Sequence, residues 1–210
     1  MINITMQDGS VRRYQPGTSL LEIARDISPR LAKESLVARV DENLADLNAR
    51  LDRDARVEFL TFDSEEGRET FRHSASHVMA QAVQRLFPGT RLAIGPPIAD
   101  GFYYDFDSPH KFTPDELEKI EAEINKIIKE DLPFSRVEIA PDEALRRFGD
   151  RQEQYKIELV NDLPKDAVIS CYRQGEFEDL CAGPHVPSTG RLKAVKLLNL
   201  AGAYWRGDER

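Results

Sequence analysis

The sequence predicts an α+β protein made of two units, a small one over residues 1–62 and a larger one over residues 63–210. In the first unit, two strand patterns, one helix pattern and two more strand patterns follow each other. An acidic, polar stretch at residues 63–67 then interrupts the pattern. After it, helical stripes of apolar side chains alternate with short strands. The chain of 210 residues is long enough for each unit to bury a core of its own.

The first unit has the order of elements of a small β-grasp, ubiquitin-like fold. Its predicted elements cover residues 2–6, 11–14, 19–26, 36–40 and 57–62. Asp8-Gly9 between the first two strands is a strong hairpin signal, and Thr18 or Ser19 can cap the helix. Acidic and basic residues alternate along this unit without forming a cluster. We therefore expect a docking module rather than a catalytic one.

The second unit alternates helices with short strands. The predicted helices cover residues 68–87, 113–130, 141–148 and 152–160, and the predicted strands cover residues 92–94, 102–104, 134–139, 168–172 and 195–200. Thr113 and Glu116 form a capping box around Pro114, which suits the first helical position. Alternation in the aromatic strand should bury one of Tyr103 and Tyr104 and expose the other. A tyrosine exposed beside glycine-rich turns can stack on a base or ribose.

The composition excludes several classes of protein. No apolar run approaches the ~20 residues that span a bilayer and no secretory signal is present, so we expect no membrane association and a cytoplasmic location. A formal net charge of −8 argues against indiscriminate binding of polyanions, but it allows a nucleic acid held by a local basic patch. In a reducing compartment, Cys171 and Cys181 are expected to be thiols.

Two pairs of reactive side chains share the same spacing. His73 and His77 lie four residues apart in the predicted helix 68–87, so one ring follows the other along one face. This face is roughly opposite the apolar stripe, which predicts that neither histidine belongs to the core. Cys181 and His185 repeat the spacing in a Gly-Pro turn. If the fold brings the pairs together, nitrogen and sulfur groups converge on one pocket.

Three interpretations of the two pairs are open. The histidines can simply be solvated on an exposed helix face. The four side chains can bind zinc, because they are of the types that zinc favours. They can also line a metal-free pocket in which imidazoles position a water molecule or a ribose hydroxyl.

Five segments occur in a characteristic order along the chain. They are HSASH at 73–77, IGP at 94–96 with GFYYD at 101–105, YK at 155–156, DLCAGPHVP at 179–187 and AGAYWRGD at 201–208. With these segments, the whole chain resembles an N-terminal fragment of bacterial-type threonyl-tRNA synthetases. The resemblance implies a TGS domain, which is a β-grasp module, over residues 1–62 and an α+β editing domain over residues 63–210. It also implies that the aminoacylation core and the anticodon-binding domain of that family lie outside this sequence.

The resemblance implies proofreading by hydrolysis of seryl-tRNA(Thr), in a family that ligates threonine to tRNA(Thr) with ATP. A site that selects threonine rejects serine by only about 1–3 kcal/mol, because serine lacks one methyl group. A second site too tight for threonine can hydrolyse the seryl ester at the 3′-terminal adenosine. The family's site maps onto seven residues of this sequence: His73, His77, Tyr104, Lys156, Asp179, Cys181 and His185.

Residue type suggests roles within this implied site. We expect His73 and Lys156 to be catalytic and to position or activate the attacking water, a task for which neutral imidazole suits pH 7. Asp179 suits the substrate ammonium, and Tyr104 suits the ribose or adenine. The substrate-binding site is completed by His77, Cys181 and His185. Because neither His73 nor Lys156 belongs to an apolar stripe, alanine at either position should leave stability almost unchanged.

The resemblance implies no metal or cofactor for this part of the family's chain. ATP, magnesium and zinc are expected only in the aminoacylation core, which would also form the homodimer of the parent enzyme. Lys156 should repel a divalent cation from the histidines and the thiol. The expected partner is the 3′ end of tRNA(Thr) carrying serine. Two alternatives to this function are a zinc-dependent deacylase of the alanyl-tRNA synthetase type and a non-catalytic module that has a tRNA-docking or regulatory role.

Overall fold

The first part of the protein is a mixed five-stranded sheet with a helical connection across it, in a computed structural model that describes residues 1–164, 166–203 and 205. Its elements are β1 Ile2–Met6, β2 Val11–Tyr14, β3 Thr18–Ser19, α1 Leu20–Ile27, α2 Pro29–Glu34, β4 Val37–Val40, β5 Asn43–Ala45, β6 Arg50–Leu51 and β7 Ala55–Leu60. The strand order is β2-β1-β7-β4-β5, with β1 parallel to β7 and the other neighbours antiparallel. This is the β-grasp arrangement, so the predicted fold is confirmed.

Local signals explain where α1 and α2 begin. The Ser19 hydroxyl accepts a hydrogen bond from Glu22 N–H at 3.2 Å, and the Glu22 carboxylate accepts one from Ser19 N–H at 2.8 Å, which completes a capping box. Apolar side chains of α1 then share one core with β1 and β7. The sequence prediction omits α2, although Ser28 caps it and Pro29 takes its first position. Both signals were present in the sequence.

The second part combines two long helices with a three-stranded sheet and two pairs of short strands. Its elements are α3 Glu65–Leu86, β8 Arg91–Leu92, β9 Pro97–Ile98, β10 Gly101–Phe102, β11 Phe106–Asp107, α4 Leu117–Glu130, β12 Ser135–Ile139, α5 Pro141–Asp150, α6 Gln154–Asp162, β13 Ile169–Gln174 and β14 Phe177–Leu180. The antiparallel sheet has the order β12-β13-β14, while β8 pairs with β11 and β9 with β10. Helices α3 and α4 pack together in one hydrophobic cluster. None of the described helices has the length and apolar composition required to cross a bilayer.

The second part differs from the sequence prediction in several element boundaries and in one predicted strand. Helix α3 begins at Glu65 rather than at residue 68, because Ser64 caps it by accepting a hydrogen bond from Gly67 N–H at 3.1 Å. The predicted strand at 195–200 is wrong, since residues 192–203, all of them described, form no strand. The segment 201–208 is described only in part, because residues 204 and 206–208 lie outside the described residues.

Hydrogen bonds join the two parts of the chain. The Asn48 side-chain amide donates to the carbonyls of Phe134 and Pro187, at 3.2 and 3.1 Å. In the opposite direction, the Arg191 guanidinium donates to the carbonyl of Ala32 at 2.7 Å. The two parts therefore share a polar interface. The division into residues 1–62 and 63–210 stays a prediction.

Candidate active site

The structure brings all seven predicted site residues into one cluster. Helix α3 supplies two histidines, α6 a lysine, β14 an aspartate, and connecting segments the rest. We call His73, His77, Cys181 and His185 the imidazole–thiol side, and Tyr104, Lys156 and Asp179 the ion-pair side. The two sides meet where His77 Nε2 lies 3.9 Å from Asp179 Oδ2.

The imidazole–thiol side is a tight group of three rings and one sulfur. The ring centroid of His185 lies 4.4 Å from that of His73 and 4.3 Å from that of His77. Cys181 Sγ lies 3.4 Å from Nε2 of both His73 and His185. Helix α3 places its two histidines one turn apart, and the loop after β14 folds the second pair over them. The two pairs, separated by about a hundred residues, therefore form one group.

The histidine face of α3 is buried rather than solvated. His77 is only 3% exposed, while His73 is half-buried. Every residue from 74 to 83 is buried, since α4 packs on this helix and the β9–β10 hairpin and the loop after β14 contact it elsewhere. The expectation that neither histidine belongs to the core is therefore wrong for His77. A helical period finds the most apolar face, but it cannot show that another element covers the polar face.

His185 is held in one orientation by neighbours that were not predicted. Its ring stacks on Phe134 at 4.7 Å and 7°, and its Nδ1 lies 3.0 Å from Ser74 Oγ. The Ser74 hydroxyl donates to Thr70 O and accepts from Val186 N–H. The hydrogen between Ser74 and His185 therefore comes from Nδ1. This tautomer presents an unprotonated Nε2 to the thiol.

Burial keeps the imidazole–thiol side uncharged at neutral pH. Desolvation lowers the pKa of His77 to about 3, and it also lowers the pKa values of His73 and His185. Burial raises the pKa of Cys181 to about 12, so its side chain is a thiol. His77 Nδ1 is buried without a hydrogen-bond partner among the described residues. This side therefore has unused capacity to accept or donate hydrogen bonds.

The ion-pair side is a closed network around Asp179. Lys156 Nζ lies 2.7 Å from Asp179 Oδ1 and donates to Ala93 O at 2.8 Å and to the Tyr104 hydroxyl at 3.3 Å. The Tyr104 hydroxyl in turn donates to Asp179 Oδ2. Burial alone would raise the pKa of Asp179, but the Lys156 ammonium holds it below its usual range. The carboxylate is therefore ionised at neutral pH although both partners are at most 3% exposed.

This network changes two expectations drawn from the sequence. Alanine in place of Lys156 would leave a buried carboxylate unpaired, so the expectation of unchanged stability does not hold for this residue. The lysine charge is also neutralised at 2.7 Å, which weakens the expected repulsion of a cation. The ammonium donates hydrogen bonds to Ala93 O and to the Tyr104 hydroxyl, and it forms an ion pair with Asp179 Oδ1. The role of Lys156 towards water, and that of Asp179 towards a substrate ammonium, stay predictions.

The two tyrosines of the GFYYD segment lie in different environments. Tyr104 is 7% exposed and Tyr103 is 41% exposed, so the predicted burial of one tyrosine and exposure of the other is confirmed. The predicted aromatic strand at 102–104 is wrong for both tyrosines, because β10 ends at Phe102. The Tyr104 ring lies directly on Gly95, where a Cβ would come within 2.1 Å of it, so only glycine allows this approach. Burial raises the pKa of Tyr104 well above its usual value, which keeps the phenol protonated as a donor to Asp179. The contact of Tyr104 with a ribose or adenine stays a prediction.

The imidazole–thiol side has the donors and the spacing for one zinc ion. One ligand atom from each of its four residues lies within 4.8 Å of the others. Zinc with bonds of about 2.0–2.3 Å places tetrahedral ligands about 3.5 Å apart, close to the 3.4 Å distances at Cys181 Sγ. The bond between His185 Nδ1 and Ser74 is also of the kind that orients metal-bound histidines. The residues therefore fit zinc, and independence of a metal stays a prediction.

The residues that orient the site differ in how visible they are in the sequence. Ser74 lies inside the HSASH segment, so the motif contains a signal for it. Phe134 and Tyr172, whose rings pack on His185, look like ordinary core residues of strand patterns. Asp46 accepts a hydrogen bond from His185 N–H at 2.7 Å from a position 139 residues away. No local pattern connects it to the pocket.

Two family models match parts of the chain. Residues 2–61 match the TGS domain. Residues 169–210 match the threonyl and alanyl tRNA synthetase second additional domain. The second match contains Asp179, Cys181 and His185, whereas His73 and Lys156 precede it. The matched families thus agree with the resemblance drawn from the five segments.

Curated relatives match the chain over its whole length. The threonine–tRNA ligases of Desulforamulus reducens and Syntrophomonas wolfei are 61% and 58% identical to it over 210 residues. That of Symbiobacterium thermophilum is 54% identical over 209 residues. Each alignment covers 100% of this chain and 32% or 33% of the relative, so the chain spans about a third of the length of the curated relatives it matches. The chain is therefore a homologue of threonine–tRNA ligases, with a TGS domain followed by the second additional domain of threonyl and alanyl tRNA synthetases.

Proposed function

We propose that this chain hydrolyses the ester between serine and the 3′-terminal adenosine of tRNA(Thr), as a cytoplasmic proofreading unit of a threonine–tRNA ligase. The observation that supports this most is the meeting of three neutral imidazoles with a buried lysine–aspartate pair. Imidazoles that can accept a proton, next to a fixed charge pair, are a typical arrangement for acyl-ester hydrolysis. The homology to threonine–tRNA ligases supplies the substrate class.

Selection against serine gives the proposed reaction its purpose. A pocket chosen for threonine also admits the smaller serine, at a cost of only about 1–3 kcal/mol. A second pocket that is too small for the extra methyl group of threonine admits serine and excludes threonine. We place that limit at the buried end of the cluster, around His77, where side chains pack closely and little room remains.

The proposed reaction uses His73 as the proton acceptor. His73 is half-buried, whereas the other residues of both sides, Cys181 excepted, are buried or nearly so, which leaves His73 accessible to water. Desolvation lowers its pKa, so the imidazole is neutral at pH 7. Water oxygen bonds to the ester carbonyl carbon while one of its protons passes to His73. The ester C–O bond then breaks, and His73 returns the proton to the ribose oxygen, giving serine and uncharged tRNA.

Lys156 is the second proposed catalytic residue. Its side chain forms a buried ion pair with Asp179, so we assign the role of proton acceptor to His73 alone. We assign Lys156 an electrostatic role, in which its charge and its contacts with Ala93 and Tyr104 fix the groups around the attacking water. Asp179 and Tyr104 help to hold Lys156 in place. In the proposal, Asp179 also faces the amino acid and Tyr104 faces the adenosine.

The spacing of the imidazole–thiol side favours one further candidate, a zinc-dependent aminoacyl-tRNA deacylase. His73, His77, Cys181 and His185 would hold the ion. Zinc bound there would supply Lewis-acid activation if one coordination position were open to water. The ligation of threonine with ATP and magnesium, and a homodimer, belong to our proposal for a full-length ligase that contains this chain.

Deacylation assays with the 210-residue chain test the proposal. We expect hydrolysis of seryl-tRNA(Thr) at least tenfold faster than that of threonyl-tRNA(Thr), the lower bound of discrimination by one methyl group. The matched control is His110→Ala, because His110 lies apart from the pocket, bound to Glu116, and should leave the rate unchanged. Equal rates on the two esters would contradict the size limit. A folded chain that hydrolyses neither ester would favour a docking module instead.

A further inference from the structure

A loop of the β-grasp part lies against the site of the second part. Residues 46–49 connect β5 to β6. From this loop, Asp46 Oδ1 accepts a hydrogen bond from the backbone N–H of His185 at 2.7 Å. Asp46 Oδ2 accepts one from the Tyr172 hydroxyl at 2.6 Å. One carboxylate from the first part therefore binds two residues of the second part.

Both hydrogen bonds of Asp46 help to fix the position of the His185 ring, one through the His185 backbone and one through Tyr172. Tyr172 is only 1% exposed, and its ring meets that of His185 at 4.5 Å and 64°. The Tyr172 hydroxyl also lies over Gly183, where a Cβ would come within 2.0 Å of it. Asp46 thus fixes the backbone of His185 and the aromatic wall against which the His185 ring rests.

A second aromatic neighbour of the His185 ring, Phe134, is held from the same loop. Asn48 donates to the carbonyls of Phe134 and Pro187 at 3.2 and 3.1 Å. Phe134 N–H donates to Pro187 O at 3.1 Å, and the Phe134 ring stacks on His185. Asp46 and Asn48 therefore support two of the aromatic rings that contact His185.

The position of His185 sets the geometry of the imidazole–thiol side. Its Nε2 lies 3.4 Å from Cys181 Sγ, and its ring contacts those of His73 and His77. A displacement of about 1 Å in a catalytic group can cost about 10²-fold in rate. A change that lets the His185 backbone move would therefore displace His73, the proposed proton acceptor.

We propose that Asp46 is a positioning residue for hydrolysis, through which the β-grasp part completes the site of the second part. This inference rests on the proposed deacylase function. It assigns the β-grasp part a role within the pocket, in addition to any contact with tRNA. The carboxylate acts through His185 and Tyr172 and touches no reacting atom.

The kinetic test compares two variants at the same interface. Asp46→Ala should lower kcat for seryl-tRNA(Thr) by about 10- to 100-fold with little change in KM, because the acceptor of the His185 N–H is lost. Asp46→Asn, which keeps one carbonyl acceptor, should recover part of that loss. Arg191→Ala is the control, since Arg191 also joins the two parts but binds carbonyls near Ala32, away from His185. An Asp46→Ala rate equal to that of Arg191→Ala would overturn the proposal.

Two further measurements keep the test decisive. Tyr172→Phe removes one hydroxyl and keeps the His185 bond, so it should lower kcat by about 3- to 10-fold even if Asp46→Ala folds poorly. The imidazole NMR signals of His185 should shift in Asp46→Ala, while those of His110 should not. If the wild-type chain hydrolyses no ester, the proposed function fails and the NMR result still decides the positioning. Unchanged His185 signals in Asp46→Ala would overturn it.

Discussion

The two sides of the pocket bury polar atoms by opposite means. On the ion-pair side, a full positive and a full negative charge lie 2.7 Å apart, and the lysine also donates hydrogen bonds to Ala93 O and to the Tyr104 hydroxyl. On the imidazole–thiol side, burial removes the charges instead, since it lowers the histidine pKa values and raises that of Cys181 to about 12. One side holds two opposite charges that compensate each other, and the other side is neutral.

This difference separates structural support from chemistry. A buried ion pair is costly to break, because removal of one partner leaves an unpaired charge in a medium of low polarity. The ion-pair side should therefore resist change and fix the geometry of its neighbours. A neutral imidazole has one nitrogen that donates and one that accepts, so it can take part in hydrogen bonding or proton transfer. The buried Nδ1 of His77, which has no partner among the described residues, is in the same position. We therefore expect mutations on the two sides to differ in their effect on stability.

The largest effect is expected on the ion-pair side. Lys156→Ala leaves Asp179 as an unpaired buried carboxylate, so the free energy of unfolding should fall by about 3–5 kcal/mol and hydrolysis should be lost. Urea denaturation followed by circular dichroism measures the first change. The double variant Lys156→Met with Asp179→Asn removes both charges, and it should regain most of the stability without regaining activity. A Lys156→Ala chain as stable as wild type would show that the pair is not closed in solution.

On the imidazole–thiol side, activity should fall without a comparable loss of stability. His73→Ala should lower the rate of seryl-tRNA(Thr) hydrolysis by about 10²-fold, the usual contribution of a positioned acid–base group. Its stability should change little, because His73 is half-buried and neutral and its removal leaves no charge unpaired. Deacylation rates and melting temperatures of His73→Ala and the His110→Ala control provide the comparison. A stability loss in His73→Ala as large as that in Lys156→Ala would remove the distinction between the two sides.

Acid should lower the free energy of unfolding through the buried histidines of the imidazole–thiol side. Burial lowers the pKa of His77 to about 3, whereas an unfolded histidine titrates near about 6.5. Below about pH 6.5 the unfolded state binds more protons than the folded state, so stability falls as the pH falls. His77 alone should cost about 2 kcal/mol between pH 7.5 and pH 5 in the zinc-free protein. The lowered pKa values of His73 and His185 act in the same direction.

Urea denaturation at several pH values measures this loss. The informative quantity is the difference between the wild-type chain and His77→Asn, because contributions from carboxylates such as Asp46 are common to both. The wild-type chain should lose more stability on acidification than His77→Asn does. Parallel pH profiles for the two chains would mean that His77 is not held neutral by burial.

Local features of the chain could be predicted from sequence because their causes are local. The capping box at Ser19 and Glu22 and the hairpin at Asp8-Gly9 act within a few residues. The spacing of His73 and His77 likewise fixes their relative position on a helix. These features predict the β-grasp order and the existence of both reactive pairs, and the family resemblance adds the remaining site residues.

The rest of the site depends on contacts between distant segments. The pairing of Lys156 with Asp179 and the burial of His77 arise when α3, α6 and β14 pack, and no periodicity within one element encodes that packing. The contact of Asp46 with His185 spans 139 residues. The sequence prediction therefore placed His77 outside the core and overestimated the free charge of Lys156.

The smallest effect is expected from zinc, for which the two sides give different arguments. The ion-pair side gives no strong objection, because the charge of Lys156 is already neutralised by Asp179. The imidazole–thiol side gives two objections to zinc-dependent catalysis. Its thiol has a pKa of about 12, so zinc must displace that proton before it binds. Four protein ligands would also form a closed tetrahedral site, which leaves no position for a water molecule and occupies His73.

Zinc removal should therefore leave the rate of seryl-tRNA(Thr) hydrolysis unchanged within about twofold, and excess zinc should lower it, because the ion would occupy the proton acceptor. Metal analysis of the purified chain, combined with deacylation before and after exhaustive chelation, measures both effects. Cys181→Ser is the matched variant: it weakens a zinc site but keeps the three imidazoles, so it should become less sensitive to added zinc. One tightly bound zinc per chain, with activity lost on removal and restored on addition, would instead establish the metal-dependent deacylase. In that case the imidazole–thiol side would be a metal site. The two sides would then differ because one binds the metal and the other supports it, and no longer because one is neutral and the other is charged.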